Sequence, residues 1–234
     1  MDYKEIKNEI INKYQKERGI DKGDKIYLLS IKRRDIWGNL ENLKGGDIED
    51  VILEFLNKWQ CRIKVTPGLI NNLQQTLKEL SKYFISVKDE KLESFDFDKS
   101  IKINGETFNT EDAIIKIFNN LCYIRAGRRD FGATATSKVM HMVNPDFFMM
   151  FDDKIREHYG CFANANGYVN FIWRMQKLGK EIIKSYSVEF GINEATAKEK
   201  VCEMFCNNWV IPKEWTALPK LIDEFNYSRY TLNL

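Results

Sequence analysis

The chain has 234 residues, 44% of them hydrophobic and 13% aromatic, with 36 Lys and Arg against 34 Asp and Glu. That apolar supply can bury a full core, which excludes a disordered chain, and a net charge of +2 excludes a polybasic coat protein. No run of about 18 apolar residues occurs, and the charged start MDYKEIKNEI has no apolar centre, so a cytosolic protein with no membrane partner is expected.

Five scattered cysteines (Cys61, Cys122, Cys161, Cys202 and Cys206) and only two histidines (His141 and His158) give no spacing for a zinc site or an iron–sulfur cluster. The thiols read as structural, and no metal or cofactor is expected.

In chain order, Ile6, Ile10 and Tyr14 predict a helix over 2–18 ending at Gly19. Ile48, Val51, Ile52, Phe55, Leu56 and Trp59 predict a second over 47–60. Thr66-Pro67 reads as N-cap and first helical position, followed by Leu69, Ile70, Leu73, Leu77, Leu80 and Phe84. The β signal lies at 95–108, where Ile101 and Ile103 alternate with Lys102 before the turn dipeptide Asn104-Gly105. Helix resumes after Asn109/Thr110, and further helices are predicted at about 133–143, 152–159, 168–186 and 194–209. Pro212 and Pro219 punctuate the tail. The fold class is therefore all-α, mainly helical with one small β-hairpin. The organisation is a single domain over 1–234: helices and hairpin to 108, a central segment over 109–160, and C-terminal helices over 161–234.

Residues 114–160 are the most informative. An amphipathic helix runs into a turn holding Arg125, Gly127, Arg128, Arg129 and Gly132, and a helix rich in small residues begins at once. Four cations (Arg125, Arg128, Arg129 and Lys138) against one anion, Asp130, suit a nucleic-acid backbone. The free N–H groups of the second helix would face an anion there. Five apolar residues, Phe147–Phe151, then deliver Asp152-Asp153 to the start of another helix. An aspartate in that setting either caps the helix or sits at the mouth of a nonpolar pocket that tunes its reactivity.

This order resembles the helix-hairpin-helix DNA glycosylase superfamily. Arg125-Ala126-Gly127-Arg128-Arg129-Asp130-Phe131-Gly132 stands where that family's hairpin lies, Thr134-Ala135 at the start of its second helix, and Phe151-Asp152-Asp153-Lys154-Ile155-Arg156 at its catalytic-aspartate stretch. The resemblance covers about 50 residues and implies two helical lobes around a central helix-hairpin-helix. It further implies a monomer that binds duplex DNA through Arg125, Gly127, Arg128, Arg129, Gly132 and Thr134, with Asp152 catalytic. Bifunctional members carry a lysine roughly 18–20 residues before the aspartate; Lys138 lies 14 residues before Asp152. A monofunctional enzyme is therefore favoured, with Lys138 kept as a candidate Schiff-base nucleophile.

The implied activity is excision of a damaged or modified base in repair or phage defence. The base flips into an aromatic pocket while a carboxylate stabilises the sugar cation and assists hydrolysis of the glycosidic bond. Trp37, Tyr123 and Phe151 are the candidate pocket aromatics. A non-catalytic helix-hairpin-helix DNA-binding module, with Asp152 only a cap, is the alternative, and an interaction protein of a mobile element is a third reading.

Overall fold

Thr66 accepts the Leu69 N–H at 3.2 Å and Pro67 fills the first helical turn, so the longest N-terminal helix starts where its cap signal lies. The computed structural model describes residues 2–10, 22–208 and 217–232; the side chains of 22–24 and 204–208 lie outside the description. In chain order its helices are α1 (Tyr3–Lys7), α2 (Lys22–Ile31), α3 (Arg34–Trp37), α4 (45–58), α5 (Pro67–Ser86), α6 (Thr110–Cys122), α7 (Ala133–Val143), α8 (Asp153–His158), α9 (Ala165–Phe190), α10 (Glu194–Asn208) and α11 (Leu218–Asn226). The middle of α4, Ile48–Leu53, is wound as a π-helix. The predicted helix over 2–18 is described only as far as residue 10, and its end at Gly19, Pro212 and the Cys206 side chain lie outside the described residues.

Antiparallel strands β1 (Ser100–Ile103) and β2 (Glu106–Asn109) pair Ile103 with Glu106 across Asn104-Gly105. Both turn residues have positive φ, 53° and 86°, as a type I′ turn demands. Asn109 then caps α6 by accepting the Asp112 N–H at 2.6 Å.

A second two-stranded pair, β3 (Arg125–Ala126) with β4 (Arg129–Asp130), lies between α6 and α7. The Phe131 N–H donates to Ile124 O at 2.8 Å and the Gly132 N–H to Cys122 O at 3.0 Å, folding the start of α7 back against the end of α6. Around this unit, α6 packs on α5, α7 and α9, while α9 also carries α1, α10 and α11. Buried apolar side chains from Tyr3 to Phe225 form one cluster.

The run Phe147–Phe151 is buried but forms no strand. The Phe147 and Phe148 N–H groups donate to Asn144 O, and side chains bond the rest: the Tyr168 hydroxyl donates to Met149 O at 2.8 Å, and the Phe151 N–H donates to Ser137 Oγ at 2.9 Å. His141 Nδ1 lies 2.6 Å from Phe148 O, so Nδ1 carries the proton and Nε2 accepts from the Tyr27 hydroxyl at 3.1 Å. Burial lowers the His141 pKa to about 3, so the ring is a neutral core strut.

Candidate functional site

Lys138, on α7, and Asp152, at the end of the buried run, meet in a cleft of about 800 Å³. Thr134 and Ala135 share the lining face of α7 with Lys138 through their i−4 and i−3 spacing. Lys138 Nζ lies 3.0 Å from Asp152 Oδ1, 3.4 Å from Trp59 O and 5.2 Å from the centre of the Trp59 ring. Burial disfavours the Lys138 ammonium, but the Asp152 charge and further acidic groups outweigh it, so its pKa is held above the ordinary lysine value. Lys138 therefore rests as the ammonium.

Lys138 lies 14 residues before Asp152, and the two side chains meet in the fold. The interval from lysine to aspartate depends on the connecting segment, and here 144–151 is an irregular link whose length sets no fixed displacement along α7.

Asp152 occupies the N-cap position of α8, yet its side chain makes no capping hydrogen bond. Its carboxylate reaches Lys138 instead. Asp153 has other partners: the Thr134 hydroxyl lies 3.1 Å from Asp153 Oδ1, and Asp153 is also ion-paired to Arg156.

The hairpin cations have divided roles. Arg125 pairs with Asp130 at 2.8 Å, while Arg129 donates to the carbonyls of Cys61, at 2.7 Å, and Arg62. That contact steadies 60–62, where Gln60 and Arg62 hold positive φ of 63° and 52°, a conformation that costs energy in non-glycine residues. Gln60, Cys61 and Arg62 line the cleft, and burial raises the Cys61 thiol pKa. Gly132, at φ 83°, precedes α7 with no side-chain cap, so the first N–H groups of that helix are left for solvent or an anion. Gly132, Thr134 and Arg129 line the cleft; Arg125, Gly127 and Arg128 do not.

None of the three expected aromatics lines the cleft. Trp37 is 1% exposed, stacks edge-on against Phe55 and donates its indole N–H to Ser30 O at 3.2 Å, so it is core, not loop. Phe151 is buried among Phe118, Tyr168 and Phe171. Tyr123 closes α6 and is 60% exposed away from the lining. The lining aromatics are Trp59, Phe131 and Tyr227.

Further lining comes from α11, a stretch in which sequence patterning singles out only Pro219. Lys220 pairs with Glu224 and lies 3.6 Å from Asp223, with its ammonium 4.8 Å and 5.4 Å from the ring centres of Tyr27 and Trp59. Burial raises the Asp223 pKa to about 7, Lys220 opposing and Glu224 adding to the shift. Leu218, Leu221, Ile222 and Phe225, at i, i+3, i+4 and i+7, are the signal that finds this helix. Nothing in that pattern marks its polar residues as buried.

Among the described residues no group of three His, Cys, Asp or Glu is placed to hold a metal, and no helix is long and apolar enough to cross a membrane. Comparison with protein-family models, curated proteins and solved structures returns no match to this chain.

Proposed function

We propose that the chain is a DNA N-glycosylase that releases a damaged or modified base from duplex DNA. The observation that carries this reading is the Lys138–Asp152 pair, held at 3.0 Å in an open cleft with Asp152 free of any capping bond. A pure cap would direct its oxygens to backbone N–H groups.

In this proposal the target nucleotide leaves the stack and enters the cleft, with flanking phosphates on the α7 N-terminus and the exposed hairpin cations. The glycosidic bond breaks with both electrons passing to the base, and Asp152 stabilises the cation that develops on the sugar. The departing base takes a proton from the Lys138 ammonium, the neutral amine adds to C1′, and passage of one amine proton to O4′ as the C1′–O4′ bond opens leaves the iminium that borohydride reduces. Sequence spacing favours simple hydrolysis; the contact of Lys138 with Asp152 supports a covalent step as a second route. The protein would act as a cytoplasmic monomer, in repair or against modified invading DNA.

The test is incubation with duplexes carrying a panel of damaged and modified bases, in the presence and absence of borohydride. Base release with a borohydride-fixed protein–DNA adduct is expected. Release without an adduct would return Lys138 to a purely electrostatic part, and no release from any duplex would overturn the assignment.

A further inference from the structure

Among the described residues, five buried side-chain oxygens make no hydrogen bond, and three of them, Asp152 Oδ1, Glu224 Oε2 and Thr231 Oγ1, belong to residues that line the cleft. Asp152 Oδ1 at least faces the Lys138 ammonium. Glu224 is the sharper case. It is 3% exposed, Lys220 engages its Oε1, and its Oε2 accepts no hydrogen bond. A buried carboxylate oxygen without a donor is costly in the free protein, and a ligand that brings a donor removes that cost.

The surroundings define the ligand's chemistry. Glu224 and Asp223 both reach Lys220 from within one turn of α11, so two carboxyl groups share one ammonium and this part of the lining is rich in acceptors. Trp59 connects it to the other ion pair: the ring centre is 5.4 Å from the Lys220 ammonium and 5.2 Å from that of Lys138. Asp223 also feels the charges of both Lys138 and Asp152. The acceptor-rich lining and the Lys138–Asp152 pair thus belong to one chamber with an aromatic face beside both, and bases lifted from a stack are held by such faces and read along their pairing edges.

The four pairing edges differ in what they bring to a carboxylate. Guanine carries N1–H and the N2 amino group side by side, and one carboxylate accepts from both. Adenine and cytosine each offer one amino group next to an acceptor nitrogen. Thymine sets a single N–H between two carbonyl oxygens, which a carboxylate repels.

We infer that Glu224 selects the base, and that the cleft takes a guanine-type pairing edge whose adjacent N–H donors meet the open oxygen of Glu224. This rests on the reading of the cleft as a glycosylase site and names its substrate class, but its test does not depend on turnover.

The experiment measures binding of the full chain to duplexes in which one non-cleavable 2′-fluoroarabino nucleotide stands opposite a tetrahydrofuran abasic site, so that no partner base holds it in the stack. Its base is guanine, hypoxanthine (which lacks only the N2 amino group), adenine or thymine. The wild-type chain is expected to bind the guanine duplex about tenfold or more tighter than the adenine and thymine duplexes, with hypoxanthine between them. Glu224→Gln, which exchanges an acceptor for a donor, should bring the guanine and adenine duplexes to near-equal affinity. Its melting temperature checks the fold, and the hypoxanthine comparison needs no variant. Equal binding of all four duplexes, binding of none, or a guanine preference kept by a folded Glu224→Gln would overturn the assignment. Release of damaged adenine or pyrimidine bases without a guanine preference would do the same and leave the glycosylase reading standing. A Glu224-dependent guanine preference in a chain that releases no damaged base would keep the subsite and overturn the glycosylase reading instead.

Discussion

The Phe151 N–H donates to the Ser137 hydroxyl at 2.9 Å, and each residue is the chain neighbour of one member of the Lys138–Asp152 pair. One hydrogen bond therefore fixes the irregular segment that ends at Asp152 against the helix that carries Lys138. Ser137→Ala leaves the buried Phe151 N–H unpaired, and a stability loss of about 1–3 kcal/mol is expected in denaturant unfolding. Single-turnover base release should slow as well, while DNA affinity is kept. A Ser137→Ala chain with wild-type release would show that the pair aligns without this tether.

Asp152→Asn is expected to slow base release by about a hundredfold or more, because electrostatic terms of this kind contribute about 3 kcal/mol. Asp153→Asn should act on stability, since Asp153 serves Thr134 and Arg156. Release assays with both variants check the assignment; a dead Asp153→Asn beside an active Asp152→Asn would reverse it. Lys138→Gln should abolish the borohydride adduct, read directly on a denaturing gel.

Reversing charge at Arg128 should lower the slope of log K against log salt by about 0.9 for each phosphate that is no longer neutralised. Arg129 behaves differently, because it is bound to the carbonyls of Cys61 and Arg62. Arg129→Ala is expected to loosen 60–62, seen as faster amide exchange there, in addition to any change in salt slope. A salt titration identical for Arg128→Glu and wild type would place the DNA elsewhere.

His141 sets part of the acid limb of stability. Its folded pKa is depressed to about 3 by burial, below the unfolded value of about 6.5, so the unfolded state binds the proton first. The contribution is present above pH 6.5 and is lost as pH falls towards 3, amounting to about 2 kcal/mol by pH 5. Asp223 acts in the opposite sense, since a raised carboxyl pKa favours the folded state as pH falls below 7. Unfolding at pH 7 and pH 5 in wild type and His141→Asn isolates the histidine: the pH 5 loss should shrink by about 2 kcal/mol in the variant.

Much of the frame was legible because its signals are local. Thr66-Pro67, Asn104-Gly105 and Asn109 each act within four residues, and each does in the fold what its chemistry prescribes. The path of Phe147–Phe151 was not legible because Ser137, His141 and Tyr168, which bond its backbone, lie 7 to 19 residues away and leave no local trace. Trp37 reads as a pocket aromatic because its polar neighbours conceal a four-residue helix with the indole turned inward. The same limit hid the α11 lining of the site. Lys220, Asp223 and Glu224 occupy the exposed-looking positions of an amphipathic helix, and only the packed cleft shows that those positions are buried.

The position of Lys220 over Tyr27 and Trp59 gives the cleft an order of assembly during synthesis. Residues 138 and 152 lie close in sequence and can meet as soon as α7 and the following segment have emerged. Further lining belongs to residues 218–226, more than 150 positions after the aromatics it covers. Closing such a distant contact is slow compared with forming local helices. A ribosome-bound chain can therefore bring Lys138 and Asp152 together before residues 218–226 reach Tyr27 and Trp59 and complete the lining of the cleft.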